Sequence, residues 1–134
     1  MNAFIVDLKN KPGELAKVVE AISARRINIT GFTGATSGGT GTLVLTTVDE
    51  SGTRQALTEG QWHYRPIELV ATPLVDKPGS LAEVTRALAR AGINVEAVLP
   101  IAMTGSTVQV AFATDDPVKA RDILDRQPVG ASSR

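Results

Sequence analysis

The stretch "NKPGELAKVVEAISARRINI", residues 10–29, is echoed sixty-six residues later by "DKPGSLAEVTRALARAGINV", residues 76–95. The two agree at Lys11/Lys77, Pro12/Pro78, Gly13/Gly79, Leu15/Leu81, Ala16/Ala82, Val18/Val84, Ala21/Ala87, Ile27/Ile93 and Asn28/Asn94, nine of twenty positions. Repetition at a fixed spacing is the first property to read from a chain, because it defines the structural unit. Within each copy a Pro-Gly turn runs into a helical pattern. Leu15, Val18, Val19 and Ile22 recur at helical spacing, with Glu14, Lys17, Glu20 and Arg25 on the opposite side. Leu81, Val84 and Leu88 repeat that apolar face.

Working outward, "AFIVDL" (3–8) is β-rich and predicts a strand. "INITGFTGAT" (27–36) and "TLVLTTVD" (42–49) predict a hairpin closed by the glycine-rich "TSGGTGT" (36–42). A weaker helix, "SGTRQALTEG" (51–60), leads into the extended "WHYRPIELVATPLVD" (62–76). The second copy repeats the order. "INVEAVLPIA" (93–102) and "STVQVAFATD" (106–115) form a hairpin around Thr104-Gly105-Ser106. A last helix in "DDPVKARDILDRQ" (115–127) has Asp116 at its N-cap and Pro117 at its first position.

The order β-α-β-β-α-β is that of a ferredoxin-like unit. The expected fold is therefore α+β, with two such units in tandem, residues 1–66 and 67–134, each an antiparallel sheet with helices on one face. A unit of this size is only marginally stable alone. Residues 61–75 serve as the last strand of one unit and the first of the next, and Pro66 and Pro73 suggest an edge, bend or bulge there. The closing "QPVGASSR" (127–134) breaks any strand pattern, so the second unit is expected to have a short or missing last strand, with 128–134 outside the ordered fold.

Composition removes several functional classes. Of 134 residues, fourteen basic and fourteen acidic side chains cancel, which argues against nucleic-acid or anionic-membrane partners. Aromatics make up 4%, too few for base-stacking platforms. There is no cysteine, hence no disulfide, thiolate metal site or cysteine nucleophile. No apolar run approaches the roughly 18 residues of a membrane helix, and the start "MNAFIVDLKNKPG" lacks a secretory pattern, so a cytoplasmic protein is expected.

The Pro-Gly loops hold the chemistry. Proline pre-sets φ, and glycine permits a conformation or close approach that a Cβ would block. A helix start presents unpaired N–H groups, which favour a carboxylate or phosphate. Turn chemistry alone explains an isolated Pro-Gly pair, but here the loop occurs twice. Each time a short polar residue precedes it (Asn10, Asp76), and an Asn follows eighteen positions later (Asn28, Asn94). The helix is expected to return that Asn towards the loop.

Other features are weaker. "GGTGT" (38–42) lacks the Lys and the following helix of a phosphate loop. "WHY" (62–64) contains the chain's one His, without metal-ligating partners, and reads as packing or an interface. Asp49-Glu50 and Asp115-Asp116 lie at strand-to-helix junctions, where capping accounts for them. No Ser/His/Asp set can be assembled, and neither a metal nor a cofactor is expected.

The doubled pattern, an Asn or Asp followed by Lys-Pro-Gly-x-Leu-Ala-x-Val and later by Ile-Asn, resembles the ACT domain, a small regulatory module of amino-acid metabolism. The resemblance covers both repeats. It implies a βαββαβ fold and a non-enzymatic role in binding an amino acid at an interface between units, against the loop and the start of the second strand. It also implies a homodimer and a metabolic enzyme as partner. Transferred by position, the ligand-binding residues are Asn10, Lys11, Pro12, Gly13, Glu14, Leu15 and Asn28 in the first repeat. In the second they are Asp76, Lys77, Pro78, Gly79, Ser80, Leu81 and Asn94. Helix-start amides would hold the α-carboxylate, Asp76 would pair with an α-ammonium, and the asparagines would add neutral hydrogen bonds. Leu8 and Leu74 stand where serine-sensing members carry His, so the resemblance does not extend to serine. The alternatives are a ligand-free dimerisation or docking module and, third, a hydrolase on the same scaffold, which would want an Arg in a phosphate loop.

Overall fold

The computed structural model describes residues 1–127. The chain divides into two compact units, Asn2–Ile67 and Met1 together with the chain from Glu68 onward. The first contains β1 (Asn2–Lys9), α1 (Glu14–Ser23), β2 (Ile29–Ser37), β3 (Thr40–Thr47), α2 (Glu50–Glu59) and the start of β4 (Tyr64–Val75). The second contains the rest of β4, α3 (Ser80–Arg90), β5 (Val95–Thr104), β6 (Thr107–Thr114) and α4 (Pro117–Asp125).

In the first unit β3 lies between β1 and β2, antiparallel to both. The first residues of β4 flank β1, where Asp7 N–H donates to His63 O at 2.9 Å. Strand alternation turns Phe4 and Val6 of β1 and Leu43 and Leu45 of β3 to one face. There they pack with Val18 and Ile22 of α1 and Ala56 and Leu57 of α2. Removing each such large side chain from water contributes roughly 1.5–3 kcal/mol. Trp62 and Tyr64 close the cluster from the side, with the Tyr64 ring 6.1 Å from that of Phe4.

The second unit repeats this plan. β6 lies between β4 and β5, and Val70, Leu74, Val110 and Phe112 form a core with Val84 and Leu88 of α3 and Ala120 and Leu124 of α4. Both second helices begin on an aspartate cap: Asp49 accepts from Gly52 N–H at 2.9 Å, and Asp116 accepts from Lys119 N–H at 3.0 Å. These are two of the four junction carboxylates that the sequence assigned to capping; Glu50 instead accepts from Asn2 N–H and Nδ2 at 3.1 Å each, and Asp115 from Asn94 N–H at 2.9 Å.

The prolines of β4 cause no slip. The β4–β6 register is unbroken from Leu69↔Ala113 to Val75↔Thr107, through Pro73↔Gln109. Leu69 N–H donates to Met1 O at 2.8 Å, on the side away from β6. Pro73 has the same parity as Leu69 and lies beyond that contact, so its missing N–H removes no ladder bond. Pro66 has the opposite parity to His63, so its nitrogen faces away from β1. The irregularities fall elsewhere, between Ile29 and Gly31 in β2, and between Val95 and Ala97 and between Pro100 and Ala102 in β5. The expectation for 128–134 lies outside the described residues. No helix among the described residues is long and apolar enough to cross a membrane.

Candidate functional site

The two Pro-Gly loops are built bond for bond alike. In the first, Asn10 N–H donates to Gly39 O (3.0 Å), Lys11 N–H to Lys9 O (3.0 Å) and Glu14 N–H to Lys11 O (3.3 Å). In the second, Asp76 N–H donates to Ser106 O (2.7 Å), Lys77 N–H to Val75 O (2.9 Å) and Ser80 N–H to Lys77 O (3.4 Å). Gly13 and Gly79 are the N-cap residues of α1 and α3, at φ 89° and 93°. That left-handed conformation is why glycine follows proline in both repeats. Neither helix start has a side-chain cap, in contrast to α2 and α4.

The loops differ in one side chain. Asn10 Nδ2 donates to Gly38 O at 2.8 Å, which ties the first loop to the β2–β3 turn. Asp76 has no N–H on its side chain and cannot make this bond. The Asn10 amide nitrogen thus contributes to the loop's own architecture.

The expectation that the helix returns Asn28 to the loop is corrected. Asn28 is exposed, and its carbonyl accepts from Val48 N–H (3.2 Å) just past the end of β3. Asn10 is bonded to the turn before the start of β3. The two asparagines of the first unit thus lie at opposite ends of it, because α1, at ten residues, carries the chain about 15 Å. The second unit behaves alike. Asp76 meets the β5–β6 turn, whereas Asn94 N–H donates to Asp115 Oδ1 (2.9 Å) at the far end. Leu81 is about half exposed, Lys77 half-buried and Ser80 buried, while Pro78 and Gly79 are exposed.

A cleft of about 640 Å³ opens beside the first loop. Of the residues singled out from the sequence, Asn10, Lys11, Glu14 and Leu15 line it. The sequence reading missed most of its walls. One side is Leu15 and Val19, one turn apart on α1; the floor is Leu8 of β1 with Leu43 and Leu45 of β3; the outer wall is Phe32, Gly34 and Thr36 of β2. Their shared face follows from register: Phe32 is opposite Leu45, Gly34 opposite Leu43, and Leu8 opposite Gly41. The alternation in "FTGAT" (32–36) and "GTLVL" (41–45) was the available signal.

Charge is confined to the mouth, where Lys9, Lys11 and Glu14 lie. The Glu14 carboxylate is half-buried and accepts a hydrogen bond from Lys17 Nζ at 3.0 Å. That bond holds its carboxyl below the ordinary 4.5, against an opposing effect of burial, and the charges of Lys17, Lys11 and Lys9 add to it. Glu14 is therefore an anion at neutral pH beside a cationic rim and an uncapped helix start. Such a mouth suits a zwitterion better than a net charge of either sign. On the far side of Glu14 a smaller recess is lined by Asp7, Trp62 and His63, with His63 Nε2 3.7 Å from Asp7 Oδ2. Among the described residues no group of three His, Asp or Glu side chains is placed to hold a metal ion.

No curated protein sequence matches the chain. The model of the ACT domain family matches residues 3–59 and 74–99. Among solved structures, protein BT0572 from Bacteroides thetaiotaomicron is similar with a TM-score of 0.79 at 22% identity, over 92% of this chain and 85% of that one. The ligand-free regulatory subunit of aspartate kinase from Thermus thermophilus gives 0.65 at 20% identity, over 92% and 88%. The corresponding subunit from Thermus flavus gives 0.66 at 20% identity, over 93% and 88%. At these identities the likeness establishes a shared fold. Because the family model covers more than half of the chain, with a matched segment in each repeat, the chain belongs to the ACT domain family.

Proposed function

We propose that the chain is a non-enzymatic regulatory module that binds an amino acid in the cleft beside its first Pro-Gly loop. The observation that carries this reading is the pairing of that cleft with an uncapped helix start and a mouth bearing Lys11 and Glu14. The ligand α-carboxylate would lie near the amides that open α1 and near Lys11, and the α-ammonium near Glu14. Asp76–Leu81 with the exposed Asn94 in the second unit, and the exposed Asn28 in the first, are candidate contacts outside this cleft. The fold shared with regulatory subunits of aspartate kinase supports a regulatory role. The effect on a metabolic enzyme partner in the cytoplasm, in a homodimeric assembly, would follow from unequal affinity of the ligand for two states of the module.

A thermal-shift screen of the twenty amino acids against the full chain tests this. A ligand at about 100 times its dissociation constant adds roughly 2.7 kcal/mol, a rise of several degrees for a protein of this size. A flat response across the panel overturns the ligand-binding reading in favour of a ligand-free docking module.

A further inference from the structure

Resting on the reading of the cleft as an amino-acid site, we infer that its ligand carries a bulky apolar side chain, and that the chain holds one such site, in the first unit. The walls are the first ground. Below the charged mouth, Leu8, Leu15, Val19, Phe32, Leu43 and Leu45 converge from one helix and three strands. Leu15 is 53% exposed, Val19 38% and Phe32 70%. Three contiguous apolar side chains left this open, around a concave volume of about 640 Å³, gain free energy when an apolar group enters. A serine or aspartate side chain would face the same walls with its polar atoms unpaired.

The second ground is the pair of glycines that keeps the cleft open. Gly41 lies opposite Leu8, and Gly34 opposite Leu43. A Cβ at Gly41 would come within 3.0 Å of Thr36 Cγ2, and one at Gly34 within 3.2 Å of Thr42 O. In the second unit the corresponding register positions are Val108, opposite Leu74, and Pro100, opposite Val110. Val19 is matched there by Thr85, whose hydroxyl donates to Leu81 O at 2.9 Å. The second unit therefore places side-chain atoms where the first has none and a hydroxyl where the first has a methyl group. The loops were duplicated, but the glycine pair behind the first of them was not.

The third ground is charge. With the zwitterionic end held at the rim by Lys9, Lys11 and Glu14, the side chain of the ligand points at the apolar floor. The occupant is a free amino acid with an aliphatic or aromatic side chain.

Isothermal titration calorimetry on the full chain separates the possibilities, with L-leucine, L-methionine and L-phenylalanine set against L-alanine, L-serine, L-aspartate and L-lysine. The expected result is binding of at least one apolar member about 10- to 100-fold tighter than L-alanine, the yield of burying one such side chain, at one equivalent per chain. Leu15→Asn changes a half-exposed position outside the core and should weaken that binding at least about fivefold, the loss of roughly one kcal/mol of apolar contact. Gly41→Val, which copies the second unit, should abolish it. Tightest binding by a polar amino acid, two equivalents per chain, or an unaffected Leu15→Asn variant overturns this inference and leaves the amino-acid site standing. Binding by none of the panel overturns the amino-acid site itself.

Discussion

Replacing Gly13 or Gly79 by alanine isolates the feature that the two repeats share most closely. Both residues are at φ near +90°, and a Cβ added at either finds no atom within 4 Å. The cost is therefore conformational and not a clash. Holding an L-residue in the left-handed region costs roughly 1–2 kcal/mol. Alanine also restricts the unfolded chain, which returns about 0.4–1 kcal/mol. The net expectation is a loss of about 1 kcal/mol at each position. Equilibrium urea unfolding, with a slope of about 1–3 kcal/mol per molar, should show the midpoint fall by roughly 0.3–1 M for either variant. The double variant should lose about twice as much, because the glycines belong to different units and share no partner. Gly39→Ala is the control: its φ lies outside the positive range and its Cβ also meets nothing, so it should be neutral or gain about 0.4–1 kcal/mol. A neutral or stabilising Gly13→Ala or Gly79→Ala would refute the left-handed cap, and with it the account of why Pro-Gly was kept in both loops.

Two further outcomes follow from the helix starts. Asp49→Ala and Asp116→Ala each remove a side-chain acceptor for a helix N–H and should cost about 1 kcal/mol in the same assay, whereas no side-chain cap exists to be lost at α1 or α3. Glu14 should titrate below 4.5 by NMR and move up towards that value in Lys17→Met; because its folded value is depressed, its contribution to stability is complete above 4.5 and is lost as pH falls through the lowered value. A Glu14 titration at or above 4.5 in the unsubstituted chain would remove the basis for that assignment.

The elements were legible because each carries its own signal. Helical spacing of Leu15, Val18 and Ile22, the glycine-rich turn before Thr40 and the Asp116-Pro117 start are all local chemistry. The placement of Asn28 was not legible. Spacing along a chain gives the number of residues between two side chains, but α1 converts those residues into a translation across the whole unit. Asn10 stands out in the sequence by its place before Lys-Pro-Gly, but that its Nδ2 bonds Gly38 O, twenty-eight residues away across a turn, is not readable there.

The cleft shows the same division most clearly. Repetition, periodicity and turn chemistry are short-range properties, so the amino-acid sequence alone was enough to establish two ferredoxin-like repeats, their Pro-Gly loops and their ACT resemblance. The difference between the units arises where strands pair. Gly41 and Val108 have the same role only through the register of β1 with β3 and of β4 with β6. A bulge in β5 shifts the linear alignment between Pro100 and Ala102, so comparing the repeats residue by residue does not pair these positions. Whether a duplicated loop has space behind it is a property of packed faces, and packing brings together residues that the chain keeps apart.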